Sequence, residues 1–325
     1  MSGVQQLTVP EHDAGQRLDR WFKRLFPHVP HGKVEKLMRT GQLRVDGKRV
    51  RGAHRLEAGE TVRVPPLPDP SETKREASER DVAQLMDWAV YEDDDLIAIN
   101  KPPGLAVQGG SKTRRHVDAM LPDGYRLVHR LDRDTSGVLL IAKSARAAAW
   151  AGKAFQSRRA RKIYWGVTNG VPAPRSGEIK GYMAKGRLDN RFGNVHEGKE
   201  VMEAVRHGAP GAKHARTLFE VVASAGQKAA FVALMPLTGR THQLRLHMQL
   251  TGAPLAGDPK YMTDRPLPGG LEPRLHLHAR ELSLPRPGGG AITVVAPLPP
   301  HMRSAFETLG FRESEAEGVD WEGLQ

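Results

Sequence analysis

Apolar residues recur at helical spacing near the start of the chain. In RLDRWFKRLF (17–26), Leu18, Trp21, Phe22 and Leu25 fall at i, i+3, i+4 and i+7. That single stripe predicts a short amphipathic helix, with Asp13 or a neighbour as its cap. KVEKLMR (33–39) repeats the pattern through Val34, Leu37 and Met38, and Gly41 suits a stop just beyond it. In LRVDGKRV (43–50) the period changes to two around Asp46-Gly47, a hairpin signal, and TVRV (61–64) adds a strand. Residues 1–64 are therefore expected to form one compact unit of two helices and short strands.

PPLPDPSETKREASER (65–80) is proline-rich, then charged and poor in apolar residues, which predicts a linker over 65–84. A larger domain, 85–312, follows. DWAVYEDDDLIAINKPPG (87–104) reads as strand, acidic turn, strand and a Pro-Pro-Gly break. VLLIA (138–142) is a buried strand and ARAAAWAGKAFQ (145–156) an alanine-rich helix. KIYWGVT (162–168), TLFEVVA (217–223) and AFVALMP (230–236) are further strands. The stretch from Pro172 to Arg216 is hydrophilic and glycine-rich, so loops or exposed hairpins are expected. Residues 313–325 hold five acids and no Lys or Arg, which predicts a loosely ordered acidic tail.

Composition narrows the partner. The chain of 325 residues carries 49 Lys+Arg against 37 Asp+Glu, a formal charge of +12. That balance favours RNA, DNA or an anionic membrane surface. On the first unit the cations include Lys33, Lys36 and Arg39, a phosphate-binding face beside the second helix or simply a solvated surface. There is no cysteine, which excludes disulfides, thiolate zinc sites and cysteine nucleophiles. The N-terminus lacks the pattern of a signal peptide, and the best apolar run, Ala229–Leu237, is too short for a membrane span. A cytoplasmic protein is expected. GxGxxG and P-loop patterns are absent, which argues against a nucleotide cofactor.

Candidate chemistry concentrates in HRLDRDTSG (129–137). Arg130 and Arg133 flank Asp132, and cations beside a carboxylate favour its ionised form, which suits a nucleophile. A charged turn, or a metal held by Asp132 and Asp134, reads the same spacing. Along the 162–168 strand, Tyr164 faces away from Ile163, Trp165 and Val167, which fits an ordinary half-buried sheet tyrosine or one placed to stack on a planar base. LTGRTHQLRLHMQLTG (237–252) groups Arg240, His242, Arg245 and His247. Its apolar residues alternate like a strand while its composition argues helix. The two histidines lack the spacing of a helical zinc pair. His276 and His278 share one strand face and read as satisfied polar residues. Arg158 and Arg159, after the alanine-rich helix, suit a helix C-terminus or backbone phosphates.

Taken together, HRLDRDTSG with VLLIAK, then K-I-Y, then TGRTHQLRLH resembles the RluA-type pseudouridine synthases. DDLIAINKPPGLAVQGG (94–110), GAPLAGDPKY (252–261) and RLHLHA (274–279) look like further motifs of that family. Residues 1–64 resemble the S4 RNA-binding module that often precedes its catalytic domain. The Gln-Gly-Gly stretch and this module are most similar to the large-subunit ribosomal RNA branch.

The resemblance implies an α+β fold with a mixed, mainly antiparallel sheet around a central cleft. It implies Asp132 as the catalytic aspartate and Arg130 in the space left by a flipped uridine. Tyr164 would stack on the uracil, Arg245 would pair with Asp132, and Leu244 would line the pocket. Residues 241–251 would be helical. It implies RNA as partner and no metal, nucleotide or redox cofactor, since isomerising uridine balances without one; the oligomeric state is not legible, and a monomer is the default expectation. An RNA-binding assembly factor that has lost activity, and a carboxylate-based glycosidase or metal-dependent hydrolase, are the competing classes. The full set of expected polar residues weighs against the first of these, and the lack of visible ligands against the hydrolase.

Overall fold

The computed structural model describes residues 3–29, 31–67, 77–109, 115–187 and 200–324. The chain divides into two compact units, Met1–Glu76 and Ala77–Gln325.

In the first unit, α1 (Leu18–Leu25) and α2 (His31–Arg39) accompany an antiparallel sheet of β1 (Gln5–Thr8), β2 (Arg44–Val45) and β3 (Thr61–Val64), ordered β1-β3-β2. The apolar stripes meet in one core: Leu18, Trp21 and Phe22 from α1, Val34, Leu37 and Met38 from α2, and Val62 and Val64 from β3. Leu25, the last member of the α1 stripe, is exposed. The expected cap is corrected. Arg17 occupies the N-cap and no side chain caps it. Asp13 is instead buried, accepting from Trp21 Nε1 (2.9 Å) and pairing with Arg24. The Asp-Gly turn forms, with positive φ at Asp46 and Gly47 and Val45 bridged to Lys48. Its second arm goes no further as a strand, because β2 pairs with β3. The edge strand β1 is too short and too polar (QQLT) to announce itself by periodicity.

The linker expected over 65–84 is too long. Residues 68–76 lie outside the described residues, but Glu79–Asp87 form α3, capped by Ser78, whose Oγ accepts from Asp81 N (3.1 Å). Leu85 is its buried anchor.

The second unit is built on one mixed sheet of eleven strands. β4 (Ala89–Glu92) and β5 (Leu96–Lys101) form the expected hairpin, followed by β6 (Arg126–Leu127) and β7 (Ser136–Ala142). After α4 (Ala145–Gln156) come β8 (Arg161–Asn169), β9 (Ser176–Arg187), β10 (Glu200–Val205), β11 (Lys213–Ala225) and β12 (Ala229–Pro236). Helix α5 (Gln243–Leu250), β13 (Leu277–Pro285), β14 (Ala291–Val295) and α6 (Pro300–Leu309) complete it.

The strand order is β10-β9-β11-β12-β8-β13-β7-β5-β4, with β14 on β13 and β6 on β7. Among the described strands, every pairing is antiparallel except β13 with β7, at His278–Ser136 and Ala279–Gly137. Gly137 is required there: a Cβ would lie 2.2 Å from the Ala279 carbonyl oxygen. Part of the hydrophilic 172–216 stretch is thus an edge hairpin, β9 with β10, while 188–199 lie outside the described residues.

The small face of α4 (Ala147, Ala151, Ala154) packs on β7 and β13, and α6 packs Met302, Ala305 and Phe306 on Trp165 and Phe231. The expected loose tail is also corrected. A 3-10 segment, Glu313–Gly318, is tied by Arg280 to Glu313 (2.7 Å), and Val319, Trp321 and Leu324 pack against the α6 core. Its apolar residues are spaced widely among acids, so composition hid their burial.

Candidate active site

HRLDRDTSG forms the segment that leads from β6 into β7. It is held at three places. His129 Nε2 accepts from Leu140 N (2.9 Å) while its ring stacks on Phe155. Leu131 is buried among Val107, Val117 and Leu139. The Arg133 carbonyl accepts from Gly104 N (2.9 Å) and from Lys101 Nζ (3.0 Å), and Arg133 Nε donates to the Gly104 carbonyl (3.0 Å). Lys101 is fully buried and also donates to the Pro102 and Leu105 carbonyls (2.9 Å each). Burial pulls its pKa down to about 7, against the fields of Asp134 and Asp132. This lysine ties the two loops together, a role that the apolar run of β5 cannot announce.

These anchors place Asp132 in a cleft of about 700 Å³, within the ~300–1,000 Å³ usual for small-molecule sites. Its carboxylate is 28% exposed, and Oδ2 lies 3.6 Å from Arg245 Nη1 and 4.0 Å from His242 Nε2. Arg130 and Arg133, its sequence neighbours, make no ion pair with it among the described residues. The expectation of a lowered pKa is corrected: burial raises it, with Arg245 opposing. The physical reason is depth, since a carboxylate in a cleft wall loses more hydration than one distant guanidinium returns.

Arg245 has a stronger partner than Asp132. Its Nε and Nη2 donate to Asp258 Oδ2 and Oδ1 (2.7 and 2.6 Å), a buried bidentate pair. Burial works against the guanidinium charge, but Asp258 and then Asp132 hold its pKa above the ordinary value. Asp258 Oδ1 accepts in turn from Lys260 N (2.8 Å) and Tyr261 N (3.1 Å). The turn that presents it depends on Gly257, at φ +66, where a Cβ would strike the Arg274 carbonyl. Sequence reasoning assigned Asp258 no role. It lies inside GAPLAGDPKY, and a Gly-Asp-Pro turn is a modest signal for an acid held by its own backbone.

Helix α5 supplies Arg245 and is fixed at its start by Gln243. Gln243 Oε1 accepts from Thr238 Oγ1 (2.7 Å), and its Nε2 donates to the Arg216 carbonyl (2.8 Å) and Thr217 Oγ1 (2.9 Å). His242, just before the helix, has a left-handed backbone (φ +52), and its Nδ1 meets Tyr261 Oη at 3.0 Å. Burial, then Arg245 and Lys260, lowers its pKa to about 3, so the ring is neutral.

Across the cleft, Tyr164 stands half-buried on β8, and burial followed by the charge of Asp132 raises its hydroxyl pKa. Leu244, Arg130 and Arg158 also line the cleft, Leu244 buried and both arginines exposed. Arg159 lies outside it, on a neighbouring groove. In the first unit, Lys36 and Arg39 line a groove of about 650 Å³ with Arg17, Arg49 and Arg51, while Lys33 is exposed on the same helix. A carboxylate, a flat aromatic side chain and a guanidinium locked on a second carboxylate line one cleft, a set that can bind a planar ring and act on the bond beside it.

The family model described as RNA pseudouridylate synthase matches residues 95–250. The chain is 34% identical to the ribosomal large subunit pseudouridine synthase C of Vibrio cholerae, over 94% of this chain and 97% of the relative. It is 33% identical to the protein of the same name from Escherichia coli, with the same coverage. Among solved structures, human RNA pseudouridylate synthase domain containing 4 superposes with a TM-score of 0.58 at 30% identity, over 70% of this chain and 95% of that one. These likenesses cover most of the chain, and by them the protein belongs to the RluA-type RNA pseudouridine synthases.

Proposed function

We propose that this enzyme converts uridine to pseudouridine in large-subunit ribosomal RNA, with Asp132 as the catalytic residue. The observation that carries the reading is the pairing of Asp132 with Arg245, itself locked on Asp258, in a cleft that Tyr164 also lines. The names of the curated relatives point to the ribosomal large subunit.

In the reaction the N1–C1′ bond breaks, the uracil turns and a C5–C1′ bond forms. C5 loses a proton and N1 ends with one, so atoms and charge balance within the nucleotide. Asp132 acts at the sugar or the base as nucleophile or as base, and its ionised form is needed in either case. Arg245 holds that carboxylate charged and aimed. Tyr164 stacks on the uracil, and Leu244 closes the pocket beside it. Flipping the uridine out of the RNA costs a few kcal/mol, on the order of one unstacking step, and Arg130 fills the space it leaves. Cations at Lys33, Lys36, Arg39, Arg158 and Arg159 contact backbone phosphates, and residues 1–64 serve as an S4-like RNA-binding module. The enzyme works in the cytoplasm, a reading supported by its lack of cysteine and by its RNA substrate, and a monomer is the default state.

The test is to supply unmodified large-subunit ribosomal RNA and map pseudouridine by carbodiimide-blocked reverse transcription. The native chain is expected to create a new stop, and Asp132→Asn to create none. No stop with the native chain rejects the function. Equal stops with the variant reject Asp132 as the catalytic residue.

A further inference from the structure

A second groove, of about 600 Å³, opens beside the cleft in the Ala77–Gln325 unit. Arg158, Lys162, Pro236 and Leu237 line both cavities, so the groove runs on from the cleft. Farther along, its walls carry Arg159 and Arg161, both exposed, and Trp321 from the C-terminal segment. Trp321 is half-buried: it packs against the core around Trp165 and Phe231 and still lines the groove. Arg158, Arg159 and Arg161 make no ion pair among the described residues. Two acids also border the groove. Asp320 Oδ1 accepts from Glu322 N (3.1 Å) and Gly323 N (3.0 Å), and Asp320 and Glu322 together oppose Arg158, Arg159, Arg161 and Lys162. The balance is cationic, beside one flat aromatic ring.

That combination fits a single-stranded nucleotide: guanidinium groups for a phosphate and an indole for a base. A flipped target also leaves its neighbours short of a stacking partner. We propose that this groove is a second nucleotide subsite, which holds the residue next to the target uridine on the same RNA strand. Its phosphate lies against Arg159 and Arg161 and its base against Trp321. The inference rests on the reading of the cleft as a uridine site, and adds a determinant of which RNA contexts are accepted.

The test uses the full chain and in vitro transcribed large-subunit ribosomal RNA, with affinity and pseudouridine formation read separately. Trp321→Leu keeps an apolar side chain on the core and removes the stacking surface, and Trp321→Phe restores a ring. Trp321→Leu is expected to bind about tenfold more weakly, the size of one base stack, and Trp321→Phe to recover most of that. Arg159→Ala with Arg161→Ala is expected to flatten the salt dependence of binding. Cutting the RNA back to the modified uridine from one side, 5′ or 3′, is expected to erase the difference between Trp321→Leu and the native chain. The subsite is rejected if Trp321→Leu binds the full RNA like the native chain, or if its defect persists on both shortened RNAs. Absence of pseudouridine with the native chain rejects the function instead, and affinity still reads the groove.

Discussion

Burial raises the pKa of Asp132 and Arg245 lowers it, so the carboxylate meets neutral pH in a setting that disfavours its charge. Catalysis needs the ionised form. The rate of a single turnover is therefore expected to fall on acidification at a pH above the ordinary carboxylate value of 3.8. Stability follows with the opposite sign. A folded-state pKa above the unfolded one means that the native state binds more protons in that window, so stability falls as pH rises through it. Asp132→Asn is thus expected to be more stable than the native chain at neutral pH, with the difference vanishing below the unfolded value. Denaturant unfolding at several pH values measures it, and a variant less stable at pH 7 would count against a strained aspartate. Asp258 presents the reverse case. Removing one member of a buried, bidentate ion pair leaves the other uncompensated, at a cost of about 3–5 kcal/mol. Asp258→Asn is expected to lose stability of that order and to slow turnover by releasing Arg245. Because the Asp258 charge raises the Asp132 pKa, the acid limb should also move to lower pH. An unmoved limb with unchanged turnover would remove Asp258 from the positioning of the site.

At the scale of the element, the site depends on how loops are pinned to strands. Lys101 ends β5 and donates to three carbonyls, two in its own loop and one at Arg133 beside Asp132. Its folded pKa, about 7, lies below the ordinary 10.5. Between those values the unfolded chain holds a proton that the native chain lacks, so this lysine makes stability rise with pH across that range. Lys101→Met is expected to remove the rise and to slow turnover by loosening the Asp132 loop. Parallel stability curves for the two chains between pH 7 and 10 would reject the lowered pKa, and unchanged turnover in Lys101→Met would reject the clamp.

The same scale explains what the sequence made legible. Strands β5, β7 and β12 were readable because continuous apolar runs have nowhere to go except a buried sheet, and β8 because its residues alternate. Helix α5 was ambiguous from its pattern. Gln243, Arg245 and His247 alternate with Leu244, Leu246 and Met248, yet all six are buried. Reading periodicity assumes that polar residues face water, and here they face Thr217 and Asp258. Asp132 and Tyr164 could be singled out as candidates from local pattern. Local pattern could not find their electrostatic partners: Arg245 came only through the family resemblance and Asp258 not at all, because both reach the site from elements more than a hundred residues downstream of Asp132.

Over the whole molecule, the charge of +12 is too diffuse to name a single docking face, but its placement separates two tasks. The cleft carries few exposed cations, Arg130 and Arg158 among them, while α2 presents Lys33, Lys36 and Arg39 together. If the first unit anchors RNA through phosphates, its contribution is electrostatic and indifferent to the chemistry at Asp132. Replacing Lys33, Lys36 and Arg39 by glutamate is then expected to weaken RNA binding at low salt. Each lost phosphate contact should make the slope of log affinity against log salt shallower by about 0.7–0.9. Turnover at saturating RNA should be unchanged, because none of the three residues lines the cleft. Filter binding across a salt series, with single-turnover rates alongside, distinguishes the possibilities. A slope equal to that of the native chain would mean that these cations are a solvated surface. A fall in the saturated rate would mean that the first unit also shapes the site. The expected pattern, weaker and less salt-sensitive binding with intact chemistry, arises only if affinity and catalysis are carried by different units of the chain.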